Sequence, residues 1–351
     1  MATDISRRRV LEMGTALFAA GSVAGCLGAS SGEGGGSTNA VRATFFVLTD
    51  FARNVAGDAA TVESLVPIGQ HGHGWEPSVQ VQRDAFESDA VVYMGEGFQP
   101  WADDVVENVR NERPELTVVA ARRGIDLLPA RRHEERHAGE HANESEEGEH
   151  RGQDRNGNRS EASEEDEGGR DHGAIDPHFW LDPRRSKRAV STIEDGLSGM
   201  DGTIADALAE NAARYRNRLN ELDERFESEL ESAEKSAVLV AGHDAFRYLV
   251  DRYGFEVHAL TGLAPDSAPS PADVRRAQEL IAEHEIEHVL APVFESGRAA
   301  KQLVAETDAK DHLPITPIPG VTEEWNERGW GYVEIMERVN LPSLKTALGA
   351  K

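Results

Sequence analysis

One cysteine, Cys26, occurs in 351 residues, so the chain has no internal disulfide, although its N-terminal segment reads as exported. Basic charge is scarce as well: 37 Lys and Arg stand against 63 Asp and Glu, a formal net charge of −26. Too little positive surface is left to release phosphate counterions, which excludes nucleic acid as a partner. No apolar run is long enough for a comfortable membrane span, and no repeat of 20–50 residues suggests a solenoid. Acidity on this scale suits a protein kept soluble by repulsion, including in concentrated salt, where the Debye length falls to a few Å. A halophilic source is therefore expected.

The N-terminus explains the lone thiol. Ser6-Arg7-Arg8-Arg9-Val10-Leu11 resembles a twin-arginine export signal, and an apolar stretch follows it to Gly25. Val23-Ala24-Gly25-Cys26 resembles a lipobox, in which Cys26 becomes the lipidated first residue. Residues 1–25 are read as signal peptide and 26–40 as a Gly/Ser-rich flexible tether. The expected location is the outer face of the cytoplasmic membrane, held by lipid without a span.

From Val41 onward strand and helix patterns alternate. Strands are expected at Val41–Thr49, Val62–Pro67, Ala90–Met94 and Leu116–Ala121, with helices at Phe51–Ala56, Val79–Ser88 and Trp101–Arg110. Short connections between such elements indicate a parallel α/β domain, whose ligands sit at the carboxyl ends of its strands. A long helix follows at 203–235, with Ile204, Leu208, Ala212, Tyr215, Leu219, Leu222, Phe226 and Leu230 on one apolar stripe. Its length predicts a strut across two lobes. A second α/β set runs through Ala237–Ala241, Asp244–Tyr253, Phe255–Leu260, Ser270–Glu283, His288–Val293, Arg298–Thr307, Ile315–Ile318 and Tyr332–Arg338. The expected fold class is therefore α/β: two lobes, each a mostly parallel sheet flanked by helices, joined by a long rigid helix. The boundaries are 41–130 and 176–202 for the first lobe, 203–235 for the helix and 236–351 for the second lobe.

Residues 131–175 interrupt the first lobe with a hydrophilic insert carrying a net charge of about −7 and five histidines: His133, His137, His141, His150 and His172. Nearly without apolar side chains, it cannot offset the entropy of ordering and is expected to be disordered. Flexible imidazoles would raise the local concentration of a metal ion; an acidic spacer or a saturation sensor are the other readings. Asn143-Glu-Ser145 and Asn158-Arg-Ser160 are three-residue glycosylation sequons in the same stretch.

Two zinc-protease patterns occur. His284-Glu285-Ile286-Glu287-His288 matches HExxH, which requires both histidines one turn apart on a continuous helix. Here the helix must stop near Glu283 to Glu285 so that the next strand can start at His288. His137-Ala-Gly-Glu-His141 matches the inverted pattern, but it lies in the insert with no apolar face to pack.

Three other histidines share one context, a strand end followed by a tight turn: His73, His178 and His243. Neutral imidazoles suit four-coordinate Zn²⁺. For any one of them a core or capping role serves equally well, and spacing alone leaves both readings open.

The segments around them are specific. Gly69-Gln70-His71-Gly72-His73-Gly74-Trp75-Glu76-Pro77, Asp176-Pro177-His178-Phe179-Trp180-Leu181-Asp182, Gly242-His243-Asp244-Ala245-Phe246-Arg247-Tyr248-Leu249 and Gly262-Leu263-Ala264-Pro265-Asp266-Ser267-Ala268-Pro269-Ser270 occur in that order. In them the chain resembles the substrate-binding proteins of zinc and manganese ABC transporters, from about Val41 to the end. The resemblance implies a receptor and not an enzyme, with His73, His178 and His243 as ligands to a transported Zn²⁺. Its implied partners are a membrane permease and its ATPase subunit, and the receptor itself would be a monomer. His71, Trp75 and Asp244 are candidates to orient the ligands. Manganese members tend to carry a carboxylate where this chain has His243, so Zn²⁺ is expected and Mn²⁺ is the alternative. The family's usual fourth ligand, an aspartate, is missing from Ile315-Thr316-Pro317-Ile318; water or Glu295 would take its place. Readings from other classes are a surface zinc metallohydrolase and a zinc buffer or adhesin.

Overall fold

The computed structural model describes residues 39–70, 75–130, 175–263 and 268–351. The signal peptide, Cys26, most of the tether, His71, His73, the insert histidines and both sequons therefore lie outside the described residues.

The first lobe is a four-stranded parallel sheet of β1 (Asn39–Ala43), β2 (Ala60–Ser64), β3 (Ala90–Tyr93) and β4 (Thr117–Ala120), in the order β2-β1-β3-β4. Its helices are α1 (Phe46–Ala56), α2 (Val79–Phe86), α3 (Pro100–Glu112) and α4 (Pro183–Ser198). Strand β3 reads Ala-Val-Val-Tyr and is buried throughout, as a strand covered on both faces must be. The second lobe repeats the plan with β5 (Ala237–Val240), β6 (Glu256–Ala259), β7 (His288–Pro292) and β8 (Asp311–Ile315), parallel and ordered β6-β5-β7-β8. Around it lie α6 (Arg247–Tyr253), α7 (Pro271–Glu283), α8 (Arg298–Glu306), α9 (Glu323–Glu327), α10 (Tyr332–Ile335) and α11 (Leu341–Ala347). Helix α7 starts as its sequence demands: Ser270 caps it, Asp273 returns the bond, and Pro271 occupies the first turn.

Helix α5 (Ala205–Leu230) joins the lobes. Its 26 residues span about 39 Å. Its apolar stripe is buried as expected from Leu208 to Leu230, whereas Ile204 is the half-buried residue just before the first turn. It packs on α1 and α4 of the first lobe and on α6, α10 and α11 of the second. The largest apolar cluster runs from Val41 to Leu348, so the lobes share a core along this helix.

Several boundaries differ from the sequence reading. Phe46–Thr49 belongs to α1, not to the first strand, because Phe45, Val47, Leu48 and Phe51 are needed on a helical face of the core. Strand β8 runs earlier than the expected Ile315–Ile318 and shares only Ile315 with it. The latter stretch is a buried connection in which Ile318 takes a left-handed φ of 57°. Helix α6 starts at Arg247, three residues later than read, leaving Asp244 in the loop. The predicted Tyr332–Arg338 helix continues through a wider π-turn at Met336–Asn340 into α11.

Candidate metal centre

Sheet order brings the site together. Both sheets change direction beside their central pair, β1/β3 and β5/β7, and a crevice opens at the carboxyl ends of such strands. His243 follows β5, and Glu295 follows β7. Glu295 Oε1 and His243 Nδ1 are hydrogen-bonded across that switch point. Gly242 makes the approach possible, since a Cβ there would meet Pro292 and the Glu295 carboxylate.

His178 arrives from the first lobe on the segment that enters α4. Its backbone N–H donates to Asp176 Oδ1 at 2.9 Å, and its Nδ1 lies 2.8 Å from the same oxygen. Asp176 is fully buried, and its Oδ2 has no hydrogen-bond partner among the described residues. His178 packs on Trp180 with ring centroids 5.3 Å apart, and Trp180 sits against Phe45 and Phe98. The Trp180 indole N–H donates to Pro317 O at 2.7 Å, joining the His178 segment to the second lobe.

The two imidazoles meet. Their ring centroids are 5.5 Å apart at an interplanar angle of 49°, and the residues are 2% and 4% exposed. An imidazole holding Zn²⁺ at about 2.0–2.1 Å puts its centroid roughly 3.2 Å from the ion, so two rings sharing one tetrahedral ion lie about 5 Å apart. An ionised carboxylate only accepts, so each Nδ1 is the donor, and in the neutral imidazole that tautomer leaves Nε2 with the lone pair a metal would take. This carboxylate–histidine pairing is what orients imidazoles in metal sites. Among the described residues no group of three or more His, Cys, Asp or Glu is arranged to hold a metal ion.

The His73 loop falls outside the described residues, but its base does not. Gly69 N–H donates to Val321 O at 3.0 Å, and Gly320 comes so close to Gln70 O that a Cβ would lie 2.7 Å from it. Residues 69 and 70 therefore sit against the second lobe's 317–321 connection, the same segment that receives Trp180. Among the proposed orienting residues, Trp75 packs edge-on against Trp101 at 5.1 Å in the first lobe's smaller core. Asp244 is buried beside His243, with its N–H on Gly262 O. Sequence reading missed Asp176 as the His178 partner, although an Asp two residues before a ligand is a readable signal. Glu295, a candidate ligand from the sequence, has its Oε1 on His243 Nδ1.

The HExxH histidines do not share a helix. Helix α7 ends at Glu283, Glu285 turns at φ 49°, and His288 opens β7. His284 instead faces His258 at 5.0 Å.

A clamp away from the ligands ties the lobes to α5. Asp223 on α5 accepts two bonds from Arg252 of α6 at 2.8 Å each, one from Arg184 of α4 at 2.9 Å, and one from the Tyr253 hydroxyl at 3.2 Å. Burial alone would raise this carboxyl; the bonds from Arg252 and Arg184 outweigh it and hold it below the usual range. Asp50 behaves oppositely. Burial raises its carboxyl despite bonds from the Tyr215 hydroxyl and the Tyr332 N–H.

Comparison with known proteins decides the family. The model of the family described as "Zinc-uptake complex component A periplasmic" matches residues 41–347. The chain belongs to that family. Members similar to it include the zinc-binding lipoprotein AdcA of Streptococcus pneumoniae, 29% identical over 86% of this chain and 54% of the relative. The chain thus spans about half the length of such relatives. The high-affinity zinc uptake system protein ZnuA of Bacillus subtilis is 28% identical over 88% of this chain and 87% of the relative. Among solved structures, the Zn(II)-bound ZnuA-like domain of S. pneumoniae AdcA superposes with a TM-score of 0.68 at 26% identity, covering 89% of this chain and 99% of that one. The metal-dependent lipoprotein YcdH of B. subtilis gives 0.69 at 25%, with coverages of 89% and 99%. The family member described here shares their two-lobe fold.

Proposed function

We propose that this family member is an extracytoplasmic receptor that captures Zn²⁺ between its lobes and delivers it to an ABC permease powered by an ATPase subunit. His73, His178 and His243 are the ligands in this reading, with water completing the shell. The observation that carries it is the meeting of two buried imidazoles from opposite lobes, each with Nδ1 on a carboxylate. The zinc that these relatives bind by name supports the same cargo. Nitrogen donors favour Zn²⁺ over the harder Mn²⁺, the alternative cargo. Glu295 supports His243 from behind instead of ligating. Cys26 anchors the chain through lipid, the insert histidines collect metal, and the receptor works as a monomer.

No bond is broken by this subunit. The metallohydrolase reading is disfavoured by the turn that separates His284 from His288. Zinc titration against a competing chelator tests the proposal. Wild type should take up one tight Zn²⁺, and His178→Ala and His243→Ala should each weaken it by at least 100-fold, while Glu285→Gln changes nothing. Tight binding that survives both histidine substitutions would overturn it.

A further inference from the structure

Two imidazoles can share an ion only if their lobes hold them in register, and the Tyr248 hydroxyl lies on that seam. Tyr248 sits on α6, five residues after His243 and in the same lobe. Its O–H donates to the backbone oxygen of Asp176 at 2.7 Å. The Tyr248 hydroxyl oxygen in turn accepts the Leu128 N–H at 2.9 Å, while the Asp176 N–H donates to Leu128 O at 2.9 Å. Three hydrogen bonds thus close a ring through Leu128, Asp176 and Tyr248. Leu128 and Asp176 are the two sides of the neck from which residues 131–174 leave and to which they return.

The geometry points to Tyr248 as a positioning residue: its hydroxyl fixes the Asp176 backbone, and through the Asp176 carboxylate it sets the His178 imidazole relative to His243. This rests on the reading above that both histidines ligate. The path has no gap. It runs from α6 through the hydroxyl to Asp176, whose Oδ1 holds both the N–H and the Nδ1 of His178. Tyr248 is fully buried. The Arg185 guanidinium lies 4.9 Å over its ring and is itself tied to Asp182 and to Asp251 of α6 at 2.8 Å each, and to Asp126 O at 3.0 Å. Burial holds the phenol far above its ordinary pKa, so it stays a donor throughout the physiological range.

Tyr248→Phe keeps the ring, its packing and its contact with Arg185, and removes only the oxygen. The Leu128 N–H and the Asp176 carbonyl then lose their partner, and His178 gains freedom that binding must remove. Zinc affinity should fall about 10-fold, or about 1.4 kcal/mol. The readouts are chelator competition with Zn²⁺ alone, a melting curve to verify folding, and ¹⁵N-edited spectra of the imidazole Nδ1–H protons without metal. The expected result is a folded variant with weaker zinc binding and a broadened His178 Nδ1–H signal beside an unchanged His243 signal. Affinity within twofold of wild type with a sharp His178 signal would overturn the proposal. So would equal broadening of both histidines, which signals general loosening. A His178→Ala control that still binds like wild type would instead remove the ligand assignment itself, separating the two failures.

Discussion

Replacing Asp176 by Asn tests the site's electrostatics with almost no change of shape. In the wild type one oxygen, Oδ1, takes both the His178 N–H and Nδ1, and the carboxylate is fully buried. An asparagine oxygen still accepts at that place, so the imidazole can keep its tautomer. What disappears is the negative charge behind the ring, which makes Nε2 a stronger donor and offsets the ion's own charge. Loss of such a supporting partner typically costs 10–100-fold in metal affinity, about 1.4–2.7 kcal/mol. The second atom adds an effect on folding. Oδ2 has no hydrogen-bond partner among the described residues, so the new NH₂ is a buried donor without an acceptor, a cost of about 1–3 kcal/mol. Removing an incompletely solvated charge works the other way and trims that loss. The expected outcome is a large drop in zinc affinity with a smaller drop in metal-free stability, read by chelator competition and urea denaturation. Unchanged zinc affinity would refute the reasoning, because it would show that the charge behind His178 does not reach the ion.

Three further expectations follow from other parts of the molecule. Asp223→Ala should destabilise by about 1–3 kcal/mol, since it removes two of Arg252's bonds and leaves Glu227 to hold that guanidinium. The wild-type Asp223 contribution is present above the unfolded carboxyl value near 3.9 and is lost as pH falls through its lowered folded value, so acid denaturation should be less steep in the variant. Asp50 has the opposite sign. Its raised folded value gives a contribution complete below the unfolded value and lost as pH rises through the folded one. Asp50→Asn should therefore flatten that decline in urea unfolding curves and leave stability at pH 7 equal or higher. Gly242→Ala should cost about 1–3 kcal/mol by driving a methyl against Pro292 and Glu295, and should weaken zinc binding by loosening the carboxylate behind His243.

How much of this was legible in the sequence depends on the range of the forces involved. The α5 stripe and the Ser270 cap are local patterns, and both appear in the structure as read. The stop before His288 was readable too, because a strand and a helix cannot share Glu285 to Glu287. Boundaries failed where tertiary packing overrode local propensity. Phe46 to Thr49 carries β-forming residues, yet core contacts draw it into α1. At the site, the residue types at 178 and 243 pointed to chemistry, but their partners did not. Glu295 lies 52 residues from His243 and Tyr248 lies 72 from Asp176, distances that only the sheet order closes. The left-handed turn at Ile318 was equally invisible, since a β-branched residue is the last one expected there.

The most direct test of the central claim is anomalous diffraction at the zinc edge from crystals of the zinc-loaded protein. The account predicts one dominant peak between the lobes, about 2.0–2.1 Å from Nε2 of both His178 and His243. A dominant peak elsewhere, or one bound through only one of these two imidazoles, would contradict it.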